Sequence, residues 1–240
     1  MEWIKAKYDI YIVSVHRSGT ENLPENNQLV KSKIDVVRIN KRSMANEGEI
    51  FRMKYKELLQ KSMEQIVCDK KRQVYKYEEM LSMLCEEFTV AKQKRNTLYF
   101  IGNGGSAGIA VHMTADFLKN GRNKTHGMFD VSTITCLGND FGYEYVYEKG
   151  IEMFADQGDI LIAISSSGNS ENIIRATNKA KEKGCKTITL SGFKEDNKLR
   201  ELGDINIYIP KEHYGYVELC HQIILHMITD TIGEANKKDE

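Results

Sequence analysis

The chain has 240 residues, of which 41% are hydrophobic, and its 34 Lys and Arg balance 34 Asp and Glu. That length supports one sizeable core with room for an appendage, and a zero net charge gives no electrostatic ground for binding nucleic acid or an anionic membrane. No apolar run approaches the roughly 20 residues of a spanning helix, and Met1–His16 lacks the pattern of a signal peptide; with no CxxC among Cys68, Cys85, Cys136, Cys185 and Cys220, the expectation is reduced thiols in a cytoplasmic protein.

Residues 1–43 differ from the rest. Tyr8–Val13 and Ile34–Ile39 read as strands, and a polar stretch with Pro24 separates them. No chemistry is evident here. An appended hairpin, a mobile tail and an over-long start ahead of Met44 remain the alternatives. From Glu49 to about Gln93 apolar residues recur at helical spacing: Leu58, Leu59, Met63, Ile66 and Val67, then Tyr77, Met80, Leu81 and Leu84. No Pro or Gly falls between Phe51 and Arg95, so one long helix or two abutting helices fit. Such a helix would contact other subunits or cover its own sheet.

Beyond Arg95, strands predicted at 97–101, 132–136, 159–164, 186–191 and 205–209 alternate with helices at 106–119, 142–154, 170–183, 195–202 and 215–233. Alternation with short loops implies a parallel sheet with helices on both faces, and ligands bound at the carboxyl ends of its strands. Three loops are expected at such ends: Gly102-Asn103-Gly104-Gly105-Ser106-Ala107, Gly138-Asn139-Asp140, and Ser165-Ser166-Ser167-Gly168-Asn169-Ser170.

The first loop fits GxGxxA, but no acidic residue ends the next strand about 20 residues on to hold a ribose, so a dinucleotide cofactor is disfavoured. A GxxxxGK[ST] loop is absent. The serine-rich loop carries no Lys or Arg. It would hold an anion through hydroxyls, backbone N–H groups and a helix N-terminus. A capping turn explains Ser170 but not three consecutive serines. The pair of loops points to a pocket for a phosphorylated small molecule.

At these residues the chain resembles the sugar isomerase (SIS) domain family, and within it the phosphoheptose isomerases. The likeness rests on Gly102–Ala107 with His112, on Gly138–Glu144, on Ala163–Ser170, and on Glu218 with His221 and His226; it runs from about Met44 to the end. It implies a three-layer flavodoxin-like fold with a five-stranded parallel sheet, preceded by a long helical segment. It also implies a homotetramer whose active sites draw on more than one subunit. The expected activity is aldose–ketose isomerisation of sedoheptulose 7-phosphate through an enediol. A non-catalytic phosphosugar-binding or partner-binding module, or an isomerase of another sugar phosphate, are the alternatives. By the resemblance Asn103, Gly104, Gly105, Ser106, Asn139 and Asp140 contact substrate, Ser165, Ser166, Ser167 and Ser170 take the phosphate, and a zinc ion sits on His112, Asp116, Glu218 and His226. Neither a nucleotide cofactor, a nucleic acid nor a membrane partner is expected.

Isomerisation needs a base for a carbon-bound proton and an acid for the neighbouring oxygen; Asp116, Glu218 and His226 are the catalytic candidates. His112 and Asp116, four apart, share a helix face. Glu218 and His226, eight apart, diverge by about 80° and can reach one cleft, whereas His221 and His226 diverge by about 140° and cannot both point there. His221 is then a core or interface residue, or meets a sugar hydroxyl. Two positions depart from the heptose pattern: Asp116 stands where Glu is usual and Glu218 where Gln is usual. Either the catalytic carboxylate has moved to Glu218, or the phosphosugar differs, or chemistry is lost and binding kept. His16, His126, His213, Lys119 and Arg122 read as surface residues.

Overall fold

The computed structural model describes residues 41–70, 73–128 and 130–237, with side chains from residue 48 on. The two strands and Pro24 of the first 40 residues, with His16, lie outside the described residues. The chain divides into two compact units at Lys56/Glu57, within the first helix, α1 (Lys41–Glu64). In the first unit Phe51 and Tyr55 meet edge to face at 5.7 Å.

The second unit is built on a seven-stranded sheet. Its strands are β1 (Val67–Lys70), β2 (Gln73–Tyr75), β3 (Thr97–Gly102), β4 (Lys124–Gly127), β5 (Ile160–Ser165), β6 (Lys186–Gly192) and β7 (Ile205–Ile209), in the order β2-β1-β7-β6-β5-β3-β4. Strands β7, β6, β5, β3 and β4 are parallel, while β1 runs antiparallel to both β7 and β2. The sheet therefore has seven strands where five were expected. Strands β3, β5 and β7 are buried along their whole length, and β3 and β5 are apolar runs closed on both faces by helices.

Alternating residues separate two cores. Leu98, Phe100, Ile162 and Ile164 face α2 (Tyr77–Lys94), α3 (Gly104–Lys119) and α8 (Tyr214–Lys237). Tyr99, Ile101, Leu161 and Ala163 face α5 (Val146–Phe154), α6 (Glu171–Glu182) and α7 (Lys198–Leu202). Phe117 meets Phe88 at 4.8 Å and Phe100 at 5.3 Å, which locks α3 against α2 and the sheet.

Two sequence expectations are corrected. The helical stretch from Glu49 is interrupted by the β1–β2 hairpin, held by Asp69, which accepts from Asn206 Nδ2 at 2.9 Å and pairs with Arg200. Its second part, α2, covers its own sheet with Met80, Leu84, Phe88 and Ala91. The strand at 132–136 is instead helix α4 (Val131–Phe141), and the second parallel strand is the polar edge strand β4. Asp130 decides this locally: its carboxylate accepts from Thr133 N at 2.8 Å and from the Thr133 hydroxyl at 3.0 Å, an N-cap that overrides β-branched side chains. None of α4's residues is fully buried, and Val131 and Phe141 are exposed.

Candidate active site

The chain leaves β3 toward β4 on one side and returns to β5 on the other. The two Ser/Gly loops thus end adjacent strands where the winding reverses, with Gly102 opposite Ile164. Between them opens a cavity of about 370 Å³ lined by Asn103, Gly104, Gly105, Ser106, Ser165, Ser166, Ser167, Ser170, Tyr214 and Glu218. No lysine or arginine is among those residues. Helices α3 and α6 both start at this cavity, and neither N-cap residue, Asn103 or Ser170, caps its helix with its side chain. The leading N–H groups of the two helices, at the positive ends of two dipoles, suit an anion.

The serine loop is shaped for the same task. Ser165 and Ser170 hydroxyls bond across it at 3.3 Å, and Gly168 N donates to Ser165 O at 3.0 Å. Gly168 has φ +64°, and a Cβ there would strike the Asn197 side chain, so the turn requires glycine. Ser166, only 4% exposed, has a hydroxyl with no protein partner. An unpaired buried hydroxyl costs about 1–3 kcal/mol, which a phosphate oxygen would offset.

Glu218, on the first turns of α8, is half-buried and turns its carboxyl toward Gly105. A Cβ on Gly105 would lie 2.6 Å from the Glu218 carboxyl carbon, so glycine is what admits the carboxyl to the start of α3. Burial pushes the Glu218 carboxyl above the ordinary glutamate range.

One helix turn and more away, His112, Asp116 and His226 converge, each with a ligand atom within 4.8 Å of the others. Asp116 Oδ2 lies 3.3 Å from His112 Nε2 and 3.4 Å from His226 Nδ1. Two imidazoles and a carboxylate, half-open to solvent, are a donor set that fits zinc with a coordination position to spare. Glu218 does not join them. Eight residues place it about 12 Å along α8 from His226, and its carboxyl is directed to Gly105 instead. Of the expected four ligands, the structure gathers three.

Asn139 and Asp140 lie on exposed α4, where Asn139 Nδ2 donates to Asp140 Oδ1 at 2.9 Å, and neither lines the cavity. The expected strand-end loop at 138–140 is the last turn of a helix. His221 is fully buried, with Nε2 3.1 Å from the Ser191 carbonyl beneath the serine loop. Burial pulls it down to about 4, so the ring is neutral. His126 meets Tyr99 edge to face at 5.7 Å and Phe154 at a tilt at 5.2 Å, and Lys119 and Arg122 line a groove at the far end of α3.

Four residues carry more than the sequence suggested. The Tyr147 hydroxyl donates to the Gly102 carbonyl, and Tyr143 to Asn103 Oδ1 at 2.9 Å. Asn103 and Asn172 exchange amide hydrogen bonds, both 2.9 Å. Gln222, one turn from both Glu218 and His226, has a buried amide nitrogen without a protein partner. The sequence signal available was position alone: Asn172 two residues past an N-cap, and Gln222 midway between two candidates.

A SIS domain model matches residues 55–192. A phosphoheptose isomerase of Nitratiruptor is 34% identical over 188 residues, covering 75% of this chain and 96% of that protein. One from Proteus mirabilis is 40% identical over 145 residues, covering 57% and 74%. The solved structure of a phosphoheptose isomerase from Neisseria gonorrhoeae superposes with a TM-score of 0.64 at 26% identity, covering 81% of this chain and 98% of that one.

Proposed function

The chain belongs to the SIS domain family, and from that premise we propose that it is an aldose–ketose isomerase. It converts sedoheptulose 7-phosphate to D-glycero-D-manno-heptose 7-phosphate. The single observation that carries this is the cavity in which two uncapped helix N-termini and the Ser166 hydroxyl face a buried-shifted carboxyl, that of Glu218. The phosphate sits on Ser165, Ser166, Ser167 and Ser170. Neutral hydrogen bonds and dipoles hold it, which leaves Glu218 the only titrating side chain at the cradle apart from Tyr214.

Glu218 takes the proton from C1 of the ketose, and the C2 oxygen gains one, giving the enediol; return of a proton to C2, with loss of the proton from the C1 hydroxyl, gives the aldose. The raised carboxyl pKa makes Glu218 a stronger base than a solvated glutamate. Asp116 is the competing base, held between two histidines, and His226 is the acid that partners it. Zinc on His112, Asp116 and His226 would supply Lewis-acid polarisation of substrate oxygens.

The enzyme works as a homotetramer in the cytoplasm. The apolar, uncovered α4 supports association, since Val131, Phe141 and neighbouring Met153 and Phe154 are exposed. Asn139 and Asp140 on α4 then reach substrate in the assembled enzyme. The carboxylates at 116 and 218 favour one further reading, an isomerase of a different sugar phosphate.

The test is a paired assay of sedoheptulose 7-phosphate and unphosphorylated sedoheptulose. Turnover of the phosphate alone, with KM raised in Ser166→Ala, is expected. Equal turnover of both sugars contradicts the phosphate cradle. Preference for a pentose phosphate gives the further reading.

A further inference from the structure

Asn103 occupies the N-cap of α3, where an asparagine side chain ordinarily accepts from the N–H of the second or third helical residue, here Gly105 or Ser106. Its side chain makes no such bond. It is taken up elsewhere. Asn103 Nδ2 donates to Asn172 Oδ1 at 2.9 Å, Asn172 Nδ2 donates back to Asn103 Oδ1 at 2.9 Å, and the Tyr143 hydroxyl donates to the same oxygen at 2.9 Å. Both lone pairs of that oxygen are therefore used. Asn172 is 2% exposed and belongs to α6, which the serine loop opens.

We propose that Asn172 is a positioning residue of the isomerase: by clasping Asn103 it prevents α3 from capping itself and keeps the first-turn N–H groups of α3 open to the substrate. The same pair ties the first loop to the serine loop, so one buried amide fixes both walls of the cradle. Tyr143 supports the clasp from the turn after α4. The proposal rests on the phosphosugar reading of the cavity.

Without Asn172, the Asn103 side chain keeps only the Tyr143 bond and can turn its oxygen to accept from Gly105 or Ser106, and substrate must displace it. The experiment compares the full-length parent with Asn172→Ala, by kinetics on sedoheptulose 7-phosphate and by millisecond hydrogen–deuterium exchange of the peptide spanning residues 102–107. The expected result is a KM about fivefold to tenfold higher, the equivalent of one N-cap, with kcat within about twofold. Exchange at Gly105 and Ser106 in the ligand-free variant is expected to slow. A merely structural role would loosen the loop and speed that exchange. Unchanged or faster exchange, or an unchanged KM, overturns the proposal. If the parent fails to turn over sedoheptulose 7-phosphate, the substrate reading fails, while the exchange comparison still decides whether Asn172 holds the cap open. Tyr143→Phe removes one of the three bonds and should shift both readouts in the same direction by less.

Discussion

The carboxyl group of Glu218 occupies the space where a side chain on Gly105 would begin. Two elements remote in sequence, the final helix and the first loop, are fitted to each other there. Gly105→Ala must therefore displace the carboxyl. A misplaced catalytic group costs about 10²-fold, so kcat/KM should fall by that order. Melting temperature, measured alongside, should move by only a few degrees. Parental kcat/KM in Gly105→Ala would remove Glu218 from the reaction.

Glu218 and Asp116 can be told apart by substitution. A base must be deprotonated, so activity rises with pH through its pKa. For Glu218 burial displaces that limb above the ordinary glutamate range. Glu218→Gln should lower kcat by about 10²- to 10⁴-fold and abolish the limb. If it leaves turnover untouched while Asp116→Asn abolishes it, the base is Asp116 and the cradle carboxyl has another use.

Metal content follows from the three-residue cluster. His112→Ala and His226→Ala should each lose zinc, read by elemental analysis after dialysis against a weak chelator, because each removes one of three ligands. Glu218→Gln should retain it, since Glu218 lies outside the cluster. Loss of zinc in Glu218→Gln would contradict that separation.

His221 makes folding sensitive to acid. Its folded-state value of about 4 lies below its unfolded value near 6.5, so the unfolded chain binds more protons between them. Its contribution is complete above pH 6.5 and is lost as pH falls toward 4. Thermal melts should show stability dropping through that window. His221→Gln, which keeps a donor for Ser191 O without a titrating ring, should flatten the drop. An equal drop in both proteins would assign it to other groups.

Association can be read at α4. Phe141→Lys and Val131→Lys place charge on a helix with no fully buried residue. Light scattering should report a tetramer for the parent and smaller species for the variants, with helix content kept. A monomeric parent would contradict the proposed assembly.

Much of this was legible in the chain. Strands β3 and β5 are near-continuous apolar runs because helices cover both faces, and such runs announce themselves. The serine cradle was legible because three serines exceed what a cap needs. Helix α4 was not, since Val131-Ser132-Thr133-Ile134-Thr135 is rich in β-branched residues and only the Asp130 cap reveals the helix. The β1–β2 hairpin was hidden for another reason: its register depends on Asp69 meeting Asn206 and Arg200 more than a hundred residues later. The same limit applies to the site. Spacing put Glu218 and His226 near one cleft, but only the packing of α8 along α3 assigns one to the cradle and the other to the histidine cluster.

The account's central claim is tested most directly by proton NMR of the purified protein with sedoheptulose 7-phosphate in deuterated buffer. It predicts the appearance of an aldose anomeric signal, with solvent deuterium entering the position next to it, and loss of both in His226→Ala. Saturable binding of the sugar phosphate with no aldose formed, with or without added zinc, would contradict it and leave a phosphosugar-binding module.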